Sequence, residues 1–246
     1  MKPILEVKNL SCGYNKNPVL KNINFAIYEN EIVGIVGPNA SGKTTLAKTL
    51  LGIIKPLKGE IKKIKKDIRF GYVPQIFSID ETFPFSVYDI LSFAFLSNFK
   101  FKLRIEEKQK IERIIRDFGL EKFKFSLYRC LSGGVKQKVL VCRNLLKDPN
   151  ILILDEPTND LDISNLKMFL EFLKRLKQTK NISIVLISHS LELVINYVER
   201  LFLTDGEKFE VLDNLEDVES IKLKVSDIFK INLEIIECKE SKFIKL

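Results

Sequence analysis

GPNASGKT, Gly37 to Thr44, decides the fold of this chain. It is a G-x-x-x-x-G-K-S/T loop, preceded by the apolar run Ile32-Val33-Gly34-Ile35-Val36 and followed by the helix-like Thr45-Leu46-Ala47-Lys48-Thr49-Leu50-Leu51. Strand, loop and helix in that order make a phosphate cradle. The strand fixes where the loop starts, the glycines let backbone N–H groups close on phosphate oxygens, and the helix N-terminus adds partial positive charge. Lys43 then reaches the β- and γ-phosphates, and the Thr44 hydroxyl can ligate Mg2+. Gly37, Pro38, Asn39, Ala40, Ser41, Gly42, Lys43, Thr44 and Thr45 are therefore the first candidate nucleotide-binding residues.

The 246 residues, 46% hydrophobic and 29% charged, suffice for a sizeable core and exclude disorder. The net charge of +8 is scattered over solvated helix faces such as Lys100 to Lys124, so nucleic acid is not expected as a partner. No window approaches the apolar length of a membrane span, and Met1-Lys2-Pro3-Ile4 runs directly into a strand-like segment without the features of a signal peptide. A cytoplasmic chain is the expectation. Cys12, Cys130, Cys142 and Cys238 form no C-x-x-C pair and His189 is the lone histidine, so the cysteines are expected to be reduced and buried or semi-buried, with no zinc site.

From Ile4 to Val33 apolar residues recur with period two, broken at Asn15 to Pro18 and at Glu29 to Glu31, which predicts a small antiparallel sheet packed on the nucleotide core. Tyr14, at the first break, either stacks on a purine or is a surface-turn tyrosine. After the phosphate helix come a turn at Lys55 to Gly59, a charged strand pair, and a strand from Ile68 that ends at Gln75. From Phe83 to Glu121 the spacing turns helical, with Gly119 as a stop, predicting a helical subdomain inserted into an α/β core.

Leu131-Ser132-Gly133-Gly134-Val135-Lys136-Gln137 opens a helix running to about Leu146. Ser132 is placed like an N-cap and two glycines bare the backbone, which makes a second anion-binding helix start. Ile151 to Leu154 form a buried strand ending in Asp155 and Glu156, and adjacent carboxylates at a strand end call for a cation. Asp155 would hold Mg2+ opposite Thr44. Glu156, held extended by Pro157, would point toward an attacking water. A polar loop through Asp162 leads to a helix near Ser164 to Leu176, and a second buried strand, Ile182 to Ile187, ends at His189, whose ring can hydrogen-bond a γ-phosphate. Residues 207–246 suggest a terminal strand and helix laid on the core or on a second copy.

Together these motifs resemble the ATP-binding cassette ATPases over about residues 4 to 206. GPNASGKT is similar to the Walker A loop, Gln75 to the Q-loop glutamine, Leu131 to Gln137 to the LSGGxxQ signature with Lys136 in a variable slot, and Ile151 to Glu156 to the Walker B strand. Asn159 to Asp162 resemble the D-loop, His189 the switch histidine, and Tyr14 the adenine-stacking aromatic. The resemblance implies an α/β fold: a P-loop NTPase (RecA-like) core with an N-terminal antiparallel β-subdomain and an inserted α-helical signature subdomain. Within a single domain over 1–246, residues 1–75 and 149–206 would form the core with its β-subdomain, 76–148 the helical subdomain and 207–246 a C-terminal extension.

It also implies a head-to-tail homodimer in which ATP on one Walker A loop is covered by Ser132, Gly133, Gly134 and Gln137 of the other copy, with Asp162 nearby. Mg2+ would sit on Thr44, Asp155 and Gln75, Glu156 would act as general base, and Gln75 and His189 would complete the catalytic set. The segment from Gly71 to Leu91 is similar to zinc and manganese importer ATPases, in which an aspartate and an F-P-x-S/T-V run follow the Q-loop. That implies an importer subunit, peripheral on the inner face of the membrane through a separate permease docked near Gln75 to Leu91. Siderophore or cobalamin importers share much of the pattern. A soluble cassette ATPase, for example in iron-sulfur cluster assembly, is the alternative. A nucleotide-binding regulator without turnover is disfavoured by the intact Glu156 and His189.

Overall fold

Aliphatic runs without a polar interruption cannot face water on either side, and here they become the centre of a sheet covered on both faces. The computed structural model describes residues 2–75, 83–96, 102–158, 161–230, 234–238 and 241–245. Strands β1 (Pro3–Tyr14) and β2 (Asn17–Tyr28) form a hairpin, followed by β3 (Ile32–Val36), α1 (Lys43–Leu50), β4 (Lys58–Lys63) and β5 (Phe70–Val73). Helices α2 (Val87–Ser92), α3 (Ile105–Asp117) and α4 (Gly133–Leu145) precede β6 (Ile151–Asp155), α5 (Ile163–Lys180), β7 (Ser183–Ser188), α6 (Leu191–Val194) and β8 (Arg200–Thr204). The chain continues through β9 (Phe209–Leu212), α7 (Val218–Phe229) and the hairpin β10 (Glu234–Cys238) and β11 (Ser241–Lys245).

The main sheet runs β5-β6-β7-β3-β8-β9, parallel except for β9, and a smaller antiparallel sheet runs β2-β1-β4. Because successive strand residues face opposite ways, the main sheet is a wall between two cores. Val36, Leu152, Leu154, Ile184 and Leu186 face the helical side, whereas Val33, Ile35, Ile151, Ile153, Val185 and Ile187 face the antiparallel sheet and α1. The parallel order puts the C-terminal ends of β3, β5, β6 and β7 along one edge, where open α/β sheets bind ligands.

Several expectations need adjustment. The charged strand pair after Gly59 is a single charged strand: β4 pairs with β1, and the chain between Lys63 and Phe70 forms no strand. The helical segment comprises two helices among the described residues, α2 and α3. Residue Ser86 caps α2, its Oγ accepting the Asp89 N–H at 3.2 Å while Asp89 Oδ2 accepts the Ser86 N–H at 2.8 Å. The C-terminal region carries a hairpin beyond the expected strand and helix, and it rests on this chain's own core through Ile235. Cys12 and Cys142 are buried, but Cys130 is exposed.

A buried charge ties the two sheets together. Arg200 on β8 donates through Nη1 to the Ala26 carbonyl of β2 at 2.8 Å, lies 3.4 Å from Glu31 Oε1, and stacks on the Tyr28 ring. Glu31 is fully buried and also accepts the Tyr28 N–H at 2.6 Å; burial pushes its carboxyl above the usual range. Replacing only the arginine strands that carboxylate. Arg200→Met is expected to lower stability by about 3–5 kcal/mol in urea unfolding, with part regained in the Arg200→Met/Glu31→Gln double variant. Equal losses in the single and double variants would show that the charge pairing is not the cause.

Candidate functional site

A helix that begins directly from a buried strand leaves its loop little length, and Gly37 to Gly42 turns within it by using left-handed backbone at Ala40 (φ 64°) and Gly42 (φ 91°). A methyl group on Gly37 would sit 2.1 Å from the Thr204 carbonyl oxygen and 2.7 Å from Ser41 Oγ, so β8 and the loop close on each other at a point only glycine fits. The loop curls around Lys43, whose ammonium donates to the carbonyls of Gly37 and Pro38, both at 2.8 Å. Burial pulls the Lys43 pKa down, and the Glu156 carboxylate at 3.6 Å, with Asp155 beyond, pulls it back up.

Glu156 departs from expectation. Its backbone is left-handed (φ 49°) rather than extended, which turns the side chain back into the cleft. There Oε1 faces Lys43, while Oε2 lies 2.9 Å from His189 Nδ1 and accepts the His189 N–H at 3.3 Å. Asp155, the last residue of β6, accepts the Thr44 hydroxyl on Oδ1 at 3.1 Å and the Tyr72 hydroxyl on Oδ2 at 3.0 Å. Burial pushes the Asp155 carboxyl up, opposed by those two hydrogen bonds. The same burial, with the neighbouring carboxylate, pushes the Tyr72 phenol up strongly.

A cleft of about 220 Å³ opens between these groups, lined by Val19, Asn39 to Thr45, Gln75 and Glu156. The structure thus joins the phosphate loop, Gln75, Asp155, Glu156 and His189. It does not bring the signature to them: Ser132, Gly133, Gly134 and Gln137 lie outside the cleft lining. Ser132 occupies the N-cap position of α4 with extended backbone, but its side chain makes no cap bond. A methyl on Gly134 would meet the Asn165 side chain at 3.3 Å, and Asp162 caps α5 by accepting the Asn165 N–H at 2.8 Å, so the signature helix and α5 start side by side. Tyr14 is 48% exposed at the end of β1. Asn159 and Asp160 of the D-loop lie outside the described residues.

The sequence did not single out Tyr72. Its strand is far from β6 in the chain, and only the pairing of Tyr72 with Ile153 sets its hydroxyl beside Asp155. The residues fit a nucleotide and its cation: Ser41 Oγ is buried in the loop with no hydrogen-bond partner, and Thr44 with Asp155 offers the hard oxygen donors that Mg2+ takes.

Fold and cleft together define a P-loop NTPase. Residues 20–159 match the family model described as ABC transporter. The zinc import ATP-binding protein ZnuC of Acinetobacter baylyi is 37% identical over 198 residues, covering 80% of this chain and 72% of that protein. A probable metal transport system ATP-binding protein of Thermotoga maritima is 36% identical over 191 residues, covering 78% of this chain and 77% of that one. A solved chain from an inward-facing ABC transporter described as metal-chelate type superposes with a TM-score of 0.86 at 27% identity, covering 100% of this chain and 96% of that chain. The chain belongs to the ABC transporter family as an ATP-binding, ATP-hydrolysing subunit. Among the described residues no helix is long and apolar enough to cross a membrane.

Gly37→Ala is expected to cost roughly 1–3 kcal/mol by forcing β8 and the loop apart, and to weaken ATP binding at the same time. Thermal unfolding with and without ATP checks this; an unchanged melting temperature together with unchanged binding would rule out the steric argument.

Proposed function

We propose that this chain hydrolyses ATP in a head-to-tail homodimer and drives metal-ion import, of zinc or manganese, through a separate permease. The observation that supports it best is the connected line from Lys43 through Glu156 to His189, set beside the Thr44–Asp155 pair at one sheet edge. Lys43 and the loop N–H groups would bind the β- and γ-phosphates and Tyr14 would stack on adenine, while Thr44, Asp155 and Gln75 would hold Mg2+. Bound Mg2+ supplies charge neutralisation on the phosphate oxygens. His189 fixes Oε2 of Glu156; with Lys43 turned to the phosphates, Oε1 on the cleft side would accept a proton from water, a contribution of about 10²- to 10⁴-fold in rate.

The separation of Ser132, Gly133, Gly134 and Gln137 from the cleft supports their use in trans, on the nucleotide of a second copy, with Asp162 at that same junction. The names of the relatives, zinc import and metal transport, support the metal cargo, which would cross the permease rather than bind here. The stretch near Gln75 to Leu91 would carry the permease contact, and the aromatic stack of Phe83 on Phe85, centroids 5.6 Å apart, lies within it. The protein would then lie peripherally on the inner membrane face. The core (1–75 and 149–206), the helical unit and the 207–246 extension remain our division of a single domain.

Glu156→Gln with ATP and Mg2+ is expected to elute as a dimer in size-exclusion chromatography, to revert to monomer when Ser132→Arg is added, and to lose about 10²- to 10⁴-fold in kcat. An ATP-bound Glu156→Gln protein that stays monomeric at high concentration counts against the shared site. Tyr72→Phe removes a hydrogen bond that orients Asp155, and should raise the Mg2+ concentration giving half-maximal ATPase by about 10-fold or more; an unshifted Mg2+ titration would show that the Tyr72 hydroxyl does not orient Asp155 for the cation.

A further inference from the structure

His189 stands at the end of β7, and the chain after it makes only one helical turn, α6, of 4 residues. A helix that short has no stability of its own, so its position depends on what holds it. On the inner side Val194 and Ile195 are buried in the core. On the outer side Asn196 makes a two-point contact with the C-terminal hairpin: its Nδ2 donates to the Lys242 carbonyl at 2.9 Å, and its Oδ1 accepts the Lys242 N–H at 2.7 Å. The side-chain amide thereby pairs with a peptide unit of β11 as a neighbouring strand would. Asn196 takes no part in the nucleotide cleft, and β11 lies far beyond the residues matched by the family model.

We infer that Asn196 is a positioning residue for His189: by hooking β11 onto the turn after α6, it holds the segment that places the imidazole against Glu156. The C-terminal hairpin is then a brace on the hydrolytic site rather than an inert tail. The inference rests on the catalytic reading of His189 given above. The hook has two sides that can be cut separately. Lys242 pairs with Glu237 in the hairpin, yet gives its N–H to Asn196, so Lys242→Pro removes that donor while sparing the hairpin ladder, and Lys242→Ala keeps it.

The test is full-length protein carrying Asn196→Ala, Lys242→Pro, both together, or Lys242→Ala as control. ATPase kinetics are read beside the imidazole proton resonance in NMR, unambiguous because the chain has 1 histidine. Asn196→Ala and Lys242→Pro should each shift that resonance and lower kcat roughly 10-fold, with KM for ATP changed by less than about twofold, since a small displacement of a reacting group costs rate more than binding. The double variant should be no worse than either single one, and Lys242→Ala should behave as the parent. An unmoved imidazole resonance with unchanged kcat in both hook variants overturns the inference, even if β11 amides then exchange faster. His189→Ala separates the two levels: if it alone leaves kcat intact, the catalytic reading fails; if it lowers kcat while the hook variants do not, only the brace fails.

Discussion

A lysine ammonium taken out of water needs oxygen partners, and the site is built around meeting that need for Lys43. Its side chain is 6% exposed, its ammonium donates to the carbonyls of Gly37 and Pro38, and the Glu156 carboxylate pairs with it at 3.6 Å. Curling the loop around the lysine requires the left-handed turns at Ala40 and Gly42 and the bare backbone of Gly37 against Thr204. The loop is thus curled around its own lysine, whose contacts with Gly37, Pro38 and Glu156 would have to be exchanged for phosphate oxygens on binding.

That arrangement depends on the sheet. Lys43 can meet Glu156 only because β3 and β6 flank β7, so that the end of the Walker A strand and the end of the acidic strand lie one strand apart on the same edge. The alternation that sends Ile151 and Ile153 to one core and Leu152 and Leu154 to the other locks the register. A slip of one residue would turn each of these side chains to the opposite face. Packing of apolar residues therefore fixes the geometry of the polar ones.

At the cleft the two neighbouring carboxylates have different partners. Asp155 is held by two hydroxyls, from Thr44 and Tyr72, and keeps the oxygen character a hard cation takes. Glu156 is held by the Lys43 ammonium on one oxygen and the His189 imidazole on the other, which together orient the carboxylate. Neighbours in sequence thus acquire distinct chemistry, the left-handed backbone of Glu156 being what separates their directions.

The Walker A loop, the signature glycines, the buried strands and the lone histidine were legible in the sequence because each is a local pattern: a turn that needs glycine, an apolar run that needs two covered faces, a strand end carrying charge. The fold class and most of the cleft followed from them. What no local pattern carries is which distant segments meet. Tyr72 reaches Asp155 through the pairing of β5 with β6, Arg200 joins Glu31 across two sheets, Asn196 joins Lys242 across 46 residues, and the signature helix starts beside α5 and apart from the phosphate loop. The sequence alone determined most of the elements and the chemistry each carries, since those are set by neighbours along the chain, but not the C-terminal hairpin or the turn at Glu156; tertiary structure decided the partners, since burial of two shared cores brings together residues with no relation in sequence.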